Sequence, residues 1–322
     1  MIAPQSTLEG TAQPVPAKPA RYGLKYYVRR TVIYALSSYL LLCLLLFLFQ
    51  RKLLYPASRM QDGLPERHGL PVRQARLISA LTGDGITLGG WHLLPLERAG
   101  TDFDAALREP GLVSLFFHGN GGHRGHRTGL YETLNRLGCH VVCFDYRGYG
   151  ESAGEPSEEG LAADARAAWE WATHLHGVAP ERVVLHGESL GSAVVVRLAQ
   201  ELCIAGTPPA GVVLETPFSS LVETAAHLYW FVPVRLILRE RFPSRERIGQ
   251  VTCPLIVFHG HRDVVVPFEQ GRRLWEAAPP QSASGRSKRL VEFVGSGHND
   301  LRDSDAALYE RELREFLGGL AN

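Results

Sequence analysis

Residues 182–186, Arg-Val-Val-Leu-His, run without a break into Gly187-Glu188-Ser189-Leu190-Gly191 and on into the apolar stretch Leu190–Leu202. A short continuous apolar run, a glycine-flanked turn and a helical run together predict a strand buried on both faces that turns sharply into a helix. The alternation recurs along the chain. Strands are predicted at Leu112–Phe117, Cys139–Phe144, Gly211–Leu214, Pro254–Phe258 and Arg289–Val294. Helices are predicted at His126–Leu137, Leu161–Leu175, Pro267–Ala278 and Leu301–Leu317. Val72–Leu81 and Ile86–Leu96 flank the turn Thr82-Gly83-Asp84-Gly85 and read as a hairpin. Glu97–Gly111 and Pro279–Lys288 read as surface loops, and no internal repeat is visible. The expected fold class is α/β: a mostly parallel central sheet covered by helices on both faces.

A second feature sits upstream. Val32–Phe49 is apolar apart from Ser37, Ser38, Tyr34 and Tyr39, and its core Leu40–Phe49 carries no charge. Eighteen helical residues span about 27 Å, the thickness of a bilayer core. No small-x-small cleavage site follows, so a single transmembrane helix is expected rather than a removed signal peptide. Lys18, Arg21, Lys25, Arg29 and Arg30 precede it and Arg51, Lys52 and Arg59 follow it. That bias favours a cytoplasmic N-terminus, with the soluble part expected outside the cytoplasm. The expected organisation is a disordered basic tail over 1–30, a membrane anchor over 31–52, a linker over 53–70 and an α/β domain over 71–322. Within that domain, 216–250 forms an inserted helical cap.

Composition excludes several classes. Apolar residues make up 45% of the 322 and the formal charge is +1, so the chain can bury a core and has no basic footprint for nucleic acid. The five cysteines, Cys43, Cys139, Cys143, Cys203 and Cys253, form no C-x-x-C pair, and neither a structural metal nor a disulfide framework is expected.

The chemistry concentrates at Ser189. Glycines on both sides let a strained strand-to-helix turn hold the hydroxyl clear of the sheet, beside the positive end of a helix. Of 13 histidines, His298 stands out, because Gly295-Ser296-Gly297-His298 directly follows the last predicted strand, where α/β folds gather their sites. His186 lies inside a strand and reads as structural. His259 and His261 end a strand and read as loop or wall residues, and His123 and His126 as exposed. Two acids compete to orient His298: Asp263, after the strand Pro254–Phe258, and Glu215, ending the strand before it. Asp145, in a tight turn, reads as structural. A developing oxyanion needs two backbone N–H donors. Leu190 supplies one, and the loop His118-Gly119-Asn120-Gly121-Gly122 supplies the other, assigned to Asn120 within one residue.

From about residue 70 to 318 the chain resembles the alpha/beta hydrolase superfamily of serine hydrolases. The motifs are His-Gly-Asn at 118–120, Phe144-Asp145-Tyr146-Arg147-Gly148-Tyr149-Gly150, Gly-Glu-Ser-Leu-Gly at 187–191 and Gly-His-Asn-Asp at 297–300. With the anchor and Thr216-Pro217-Phe218-Ser219-Ser220, they resemble the membrane-anchored alpha/beta hydrolase domain-containing proteins. The resemblance implies ester or thioester hydrolysis by Ser189, His298 and Asp263, through an acyl-enzyme and with no cofactor. It favours Asp263 over Glu215, since His-Gly-His-Arg-Asp followed by Val264-Val265-Val266-Pro267 looks like the family's acid loop. Relatives that deacylate protein cysteines carry a cysteine-rich N-terminus, which this chain lacks.

The expected substrate is an acyl ester, reached by an enzyme held at a membrane. The same three residues also serve a peptidase or an acyltransferase, and a silent fold acting as a membrane-bound interaction protein is the reading from another class. The cap, with Tyr229-Trp230-Phe231 and Leu236-Ile237-Leu238 among arginines, reads either as simple packing or as an acyl-binding, membrane-facing lid.

Overall fold

The computed structural model describes residues 23–60 and 62–320. The chain divides into two compact units, Met1–Leu46 and Phe47–Asn322. The first contains most of a 31-residue helix, α1 (Leu24–Leu54), which is long and apolar enough to cross a membrane. Residues 24–30, expected as part of a disordered tail, are its first two turns; residues 1–22 of that tail lie outside the described residues. Tyr26, Arg30 and Tyr34 stack at four-residue spacing on one face, where Arg30 donates to both phenols, and this continues the helix past the apolar run.

The second unit carries one eight-stranded sheet. The hairpin strands β1 (Ala75–Leu81) and β2 (Thr87–Leu93) are followed by α2 (Phe103–Arg108), β3 (Val113–Phe117), α3 (Thr128–Arg136) and β4 (His140–Phe144). Next come α4 (Glu158–Glu170), β5 (Val183–Glu188), α5 (Leu190–Ile204) and β6 (Gly211–Glu215). Three short helices, α6 (Leu221–Leu228), α7 (Val234–Ile237) and α8 (Ser244–Arg247), make the cap. The chain ends with β7 (Leu255–Gly260), α9 (Phe268–Ala277), β8 (Arg289–Phe293), α10 (Leu301–Ser304) and α11 (Ala306–Leu320). Strand order is β1-β2-β4-β3-β5-β6-β7-β8. The first two pairings are antiparallel and the other five parallel.

The unbroken apolar runs follow from the two covered faces, because successive strand residues point to opposite sides. Val183 and Leu185 of β5 face α4 and α5, in one cluster with Leu161, Ala165, Val194 and Leu198. Val184 between them faces α3 and α11, in a second cluster with Tyr131, Leu134, Leu313 and Phe316.

Three boundaries differ from expectation. The loop expected at 97–111 contains α2, whose N-terminus is capped where Asp102 Oδ1 accepts the Ala105 N–H at 2.7 Å. The helix expected over 301–317 breaks at Asp305, whose backbone leaves the helical region and whose carboxylate accepts the Leu308 N–H at 2.9 Å. The linker expected at 53–70 packs onto the sheet unit, with Tyr55, Met60 and Leu70 buried. The compact unit correspondingly begins at Phe47 rather than 71.

Candidate active site

The C-terminal ends of the parallel strands converge on one rim, where a doubly wound sheet leaves its crevice. Ser189 occupies the turn between β5 and α5 with φ 51° and ψ −110°, a conformation that costs a non-glycine residue about 1–3 kcal/mol. The turn is pinned from beneath. The Ser189 N–H donates to the Glu215 carbonyl at 2.8 Å, and the Ser192 hydroxyl donates to the carbonyls of Gly187 (2.7 Å) and Glu215 (3.0 Å). The flanking glycines are required by contact. A Cβ on Gly191 would stand 2.0 Å from the Phe117 carbonyl oxygen, and one on Gly187 2.5 Å from the Gly191 carbonyl oxygen.

His298, in the loop after β8, lies with Nε2 3.0 Å from Ser189 Oγ and Nδ1 2.7 Å from Asp263 Oδ2. Asp263 Oδ1 accepts the backbone N–H groups of Val265 (2.9 Å) and Val266 (2.7 Å). Burial alone would raise the Asp263 pKa, but hydrogen bonds from His259 and His298 and from the Val266 amide outweigh it and hold the carboxyl down at about 2. An ionised Asp263 at this distance requires the proton on Nδ1, which leaves the Nε2 lone pair facing the Ser189 hydroxyl.

Glu215 is engaged elsewhere. Its carboxylate meets His186 Nε2 at 2.6 Å, Arg302 Nη1 at 2.7 Å and the Tyr309 hydroxyl at 2.6 Å. Burial pushes its pKa up, and Arg302, His186 and Tyr309 more than reverse that, to about 2. His186 is fully buried, as expected. His123, expected at the surface, is buried, and its ring accepts the Gly125 N–H at 3.1 Å. His259 is a loop anchor, its Nε2 donating to the Val266 carbonyl at 2.9 Å. Asp145 is buried, paired with the equally buried Arg124, and accepts the Arg124 N–H.

A cavity of about 510 Å³ opens at Ser189, and Leu190 and Asn120 share its wall. Leu190 is the first residue of α5, so its N–H has no carbonyl within the helix to receive it. Asn120 is held by its side chain: Oδ1 accepts the Tyr149 hydroxyl at 2.8 Å, and Nδ2 donates to the Leu54 carbonyl. The remaining wall is largely apolar and comes from the end of α1 (Leu53, Leu54), the cap (Leu221, Leu228, Tyr229) and Val265.

Two site-wall features were not visible in the sequence. Arg127 donates to the Glu188 carboxylate at 2.7 Å and to the Gly121 carbonyl at 2.8 Å, tying the loop at 119–122 to the serine turn. The last two residues of α1, Leu53 and Leu54, form part of the cavity wall. Neither is marked by a motif, since each depends on tertiary contact. Among the described residues no group of three His, Cys, Asp or Glu side chains gathers as a metal-ligand set.

Residues 108–245 match the family described as Serine aminopeptidase, S33 (Hydrolase_4). An uncharacterised protein of Mycobacterium tuberculosis is 39% identical over 273 residues, 83% of this chain and 87% of that one. The lysophosphatidylserine lipase ABHD12 of Danio rerio is 31% identical over 324 residues, 89% of this chain and 82% of the relative. The chain belongs to the alpha/beta hydrolase family. Solved structures share the hydrolase fold at low identity. The esterase Pf2001 of Pyrococcus furiosus superposes with a TM-score of 0.62 at 19% identity, covering 82% of this hydrolase and 96% of that chain. Est1E of Butyrivibrio proteoclasticus gives 0.58 at 18%, covering 76% and 98%. This hydrolase thus has a lipase relative, and shares its fold with esterases, across most of its length.

Proposed function

We propose that this chain is a membrane-anchored serine hydrolase that cleaves carboxylic esters or thioesters through an acyl-enzyme. The observation that carries the proposal is the unbroken hydrogen-bond line from Ser189 Oγ through His298 to Asp263, at 3.0 and 2.7 Å. Ser189 Oγ attacks the acyl carbonyl while His298 Nε2 takes its proton, and ionised Asp263 stabilises the imidazolium. The oxyanion of the tetrahedral intermediate accepts hydrogen bonds from the Leu190 and Asn120 amides, each worth about 3 kcal/mol in enzymes of this chemistry. His298 then protonates the departing alcohol or thiol. Water, deprotonated by the same nitrogen, releases the acid and restores Ser189.

The apolar cavity wall fits an acyl chain, and the name of the zebrafish relative makes a lysophospholipid the first natural ester to try. The apolar stretch of α1 supplies the anchor, and the basic residues ahead of it favour an extracytoplasmic hydrolase domain. The family description also suggests a peptidase. An aminopeptidase needs a free carboxylate for the substrate ammonium, whereas Glu188, the acidic side chain in the cavity wall, is already paired with Arg127.

The test is covalent labelling of the detergent-extracted chain by a fluorophosphonate, with hydrolysis of p-nitrophenyl butyrate measured in parallel. Both are expected in the wild type and absent in Ser189→Ala. Undiminished turnover by folded Ser189→Ala refutes the mechanism.

A further inference from the structure

The cavity mouth has an apolar rim. Leu53 from the end of α1, Leu228 and Tyr229 from the cap, and Val265 from the Asp263 loop all line the cavity and are all exposed. The apolar surface continues outward on the cap. Trp230 is 81% exposed and Leu236 84%, with Phe231 exposed against the Trp230 ring. Water-facing proteins seldom group large apolar side chains in this way without a surface that covers them.

The same cap is fastened to the last turns of α1. Gln50 Oε1 accepts the Arg239 N–H at 2.7 Å, and its Nε2 donates to the Ile237 carbonyl at 3.2 Å. The Arg239 guanidinium lies 4.2 Å from the Phe47 ring centre, and Arg51 pairs with Glu240 at 2.8 Å. The uncharged stretch of α1 ends at Phe49, and Leu53 follows one turn later, about 6 Å along the axis. A bilayer that holds α1 therefore has its headgroup layer at the level of the cavity mouth. Exposed tryptophan and tyrosine, with the exposed Arg235 and Arg239 of the same cap, suit that layer: the rings carry polar edges, and guanidiniums pair with lipid phosphates.

We propose that this surface, Tyr229–Phe231 and Leu236 on the cap with Leu53 and Val265 at the mouth, docks into the bilayer and passes acyl chains from the leaflet directly to Ser189. The inference rests on the hydrolase reading and on α1 as the anchor. It selects esters that partition into membranes over those dissolved in water.

The test uses the full chain reconstituted in phosphatidylcholine–phosphatidylglycerol vesicles that contain phosphatidylcholines brominated at different depths. The fluorescence difference between wild type and Trp230→Phe isolates Trp230. Quenching is expected to be strongest with bromines nearest the headgroup. In the same vesicles Trp230→Ser/Leu236→Ser is expected to turn over p-nitrophenyl palmitate dissolved in the membrane at least about tenfold more slowly, through weakened docking. Turnover of water-dissolved p-nitrophenyl butyrate is expected to be unchanged. A vesicle-bound chain whose Trp230 no brominated lipid quenches overturns the docking surface and leaves the anchor standing. Shielding of Trp230 from aqueous acrylamide without quenching by lipid overturns it in favour of a protein cover, such as a second copy. Failure of the chain to stay with the vesicles overturns both anchor and docking. Loss of butyrate turnover and fluorophosphonate labelling in the wild type refutes the hydrolase reading alone, because Trp230 quenching still reports on docking.

Discussion

Arg302 binds Glu215 at 2.7 Å, on a carboxylate that His186 and Tyr309 also hold, so the acid nearest the serine turn in the strand order serves the sheet rather than His298. Asp263, from the next strand, meets His298 instead. Asp263→Asn is expected to lower kcat for a small activated ester by about 10⁴, since the amide favours the wrong imidazole tautomer. Glu215→Gln is expected to lower Tm and to leave kcat of the folded protein within about threefold, because a lost buried hydrogen bond is a stability effect. The opposite ranking, with folding checked by circular dichroism, would exchange the two roles.

Backbone strain at Ser189 gives a second expectation. At φ 51° a side chain costs about 1–3 kcal/mol, whereas glycine's extra chain entropy costs about 0.5–1. Ser189→Gly should therefore melt higher than Ser189→Ala, and neither is expected to turn over substrate. Equal melting temperatures would mean that the turn stores no strain.

Close backbone contact distinguishes two glycines. Gly191→Ala drives a methyl into the Phe117 carbonyl, which the sheet holds in place, and is expected to cost about 3 kcal/mol, the upper end of the overpacking range. Gly121→Ala meets nothing within 4 Å, and is expected to change stability by less than about 0.5 kcal/mol. Urea denaturation of both variants is the measurement.

The pH dependence of stability has two limbs of opposite sign. Asp263 and Glu215 have folded pKa values depressed to about 2. Their stabilisation is complete above the unfolded carboxyl pKa, and about 2–3 kcal/mol each is lost as pH falls from about 4 through 2. Asp164 goes the other way: burial, which outweighs its bonds to Arg147, raises its pKa to about 6. A raised carboxyl favours the folded state as it protonates, so stability gains between about pH 6 and 4. Burial lowers the pKa of His92, His118, His123 and His140, so these rings, neutral in the fold, cost stability as pH falls below about 6.5. The Asp164 contribution is therefore read as a difference: the Tm of the wild type relative to Asp164→Asn should rise between about pH 6 and 4 and then level. A difference that stays constant across that range would contradict it.

Thiol chemistry separates the cysteines of the second unit. A hydrogen bond with the Cys253 thiol, assisted by the Thr252 amide and opposed by burial, brings the half-buried Cys203 down to about 6. Burial pushes Cys139 and Cys143 up to about 12. Iodoacetamide at neutral pH should therefore modify Cys203 first, as read by peptide mass spectrometry; first labelling of Cys139 or Cys143 would show an opened sheet.

Much of the fold was legible in the sequence because both faces of the sheet are covered, which writes each inner strand as an unbroken apolar run such as Val183–Leu185. The grouping of Ser189 with His298 was legible because glycine punctuates the strand ends that carry them, whereas Asp263 was preferred to Glu215 only on the family resemblance; the structure brings the three side chains within hydrogen-bond distance. Other features left no periodic mark. The packing of Tyr55, Met60 and Leu70 follows an irregular path, and the burial of His123 depends on a local cap. The engagement of Glu215 comes from residues 29, 87 and 94 positions away, which no local pattern joins.

The fastening of Gln50 to the cap decides where a water-soluble version of this enzyme can begin. A chain cut at Tyr55 keeps every residue of the sheet but strips the partners from the Arg239 N–H, the Ile237 carbonyl and one oxygen of Glu240. It also removes Leu54, which packs against the cap's apolar cluster of Val222, Ala225, Val234 and Leu238, and the carbonyl that holds the Asn120 side chain. Such a fragment would be purified with a loosened cap and an unsteady loop at 119–122, and a low turnover by it would be misread as poor specificity. Starting at Phe47 retains all of these contacts and discards most of the uncharged apolar stretch of α1.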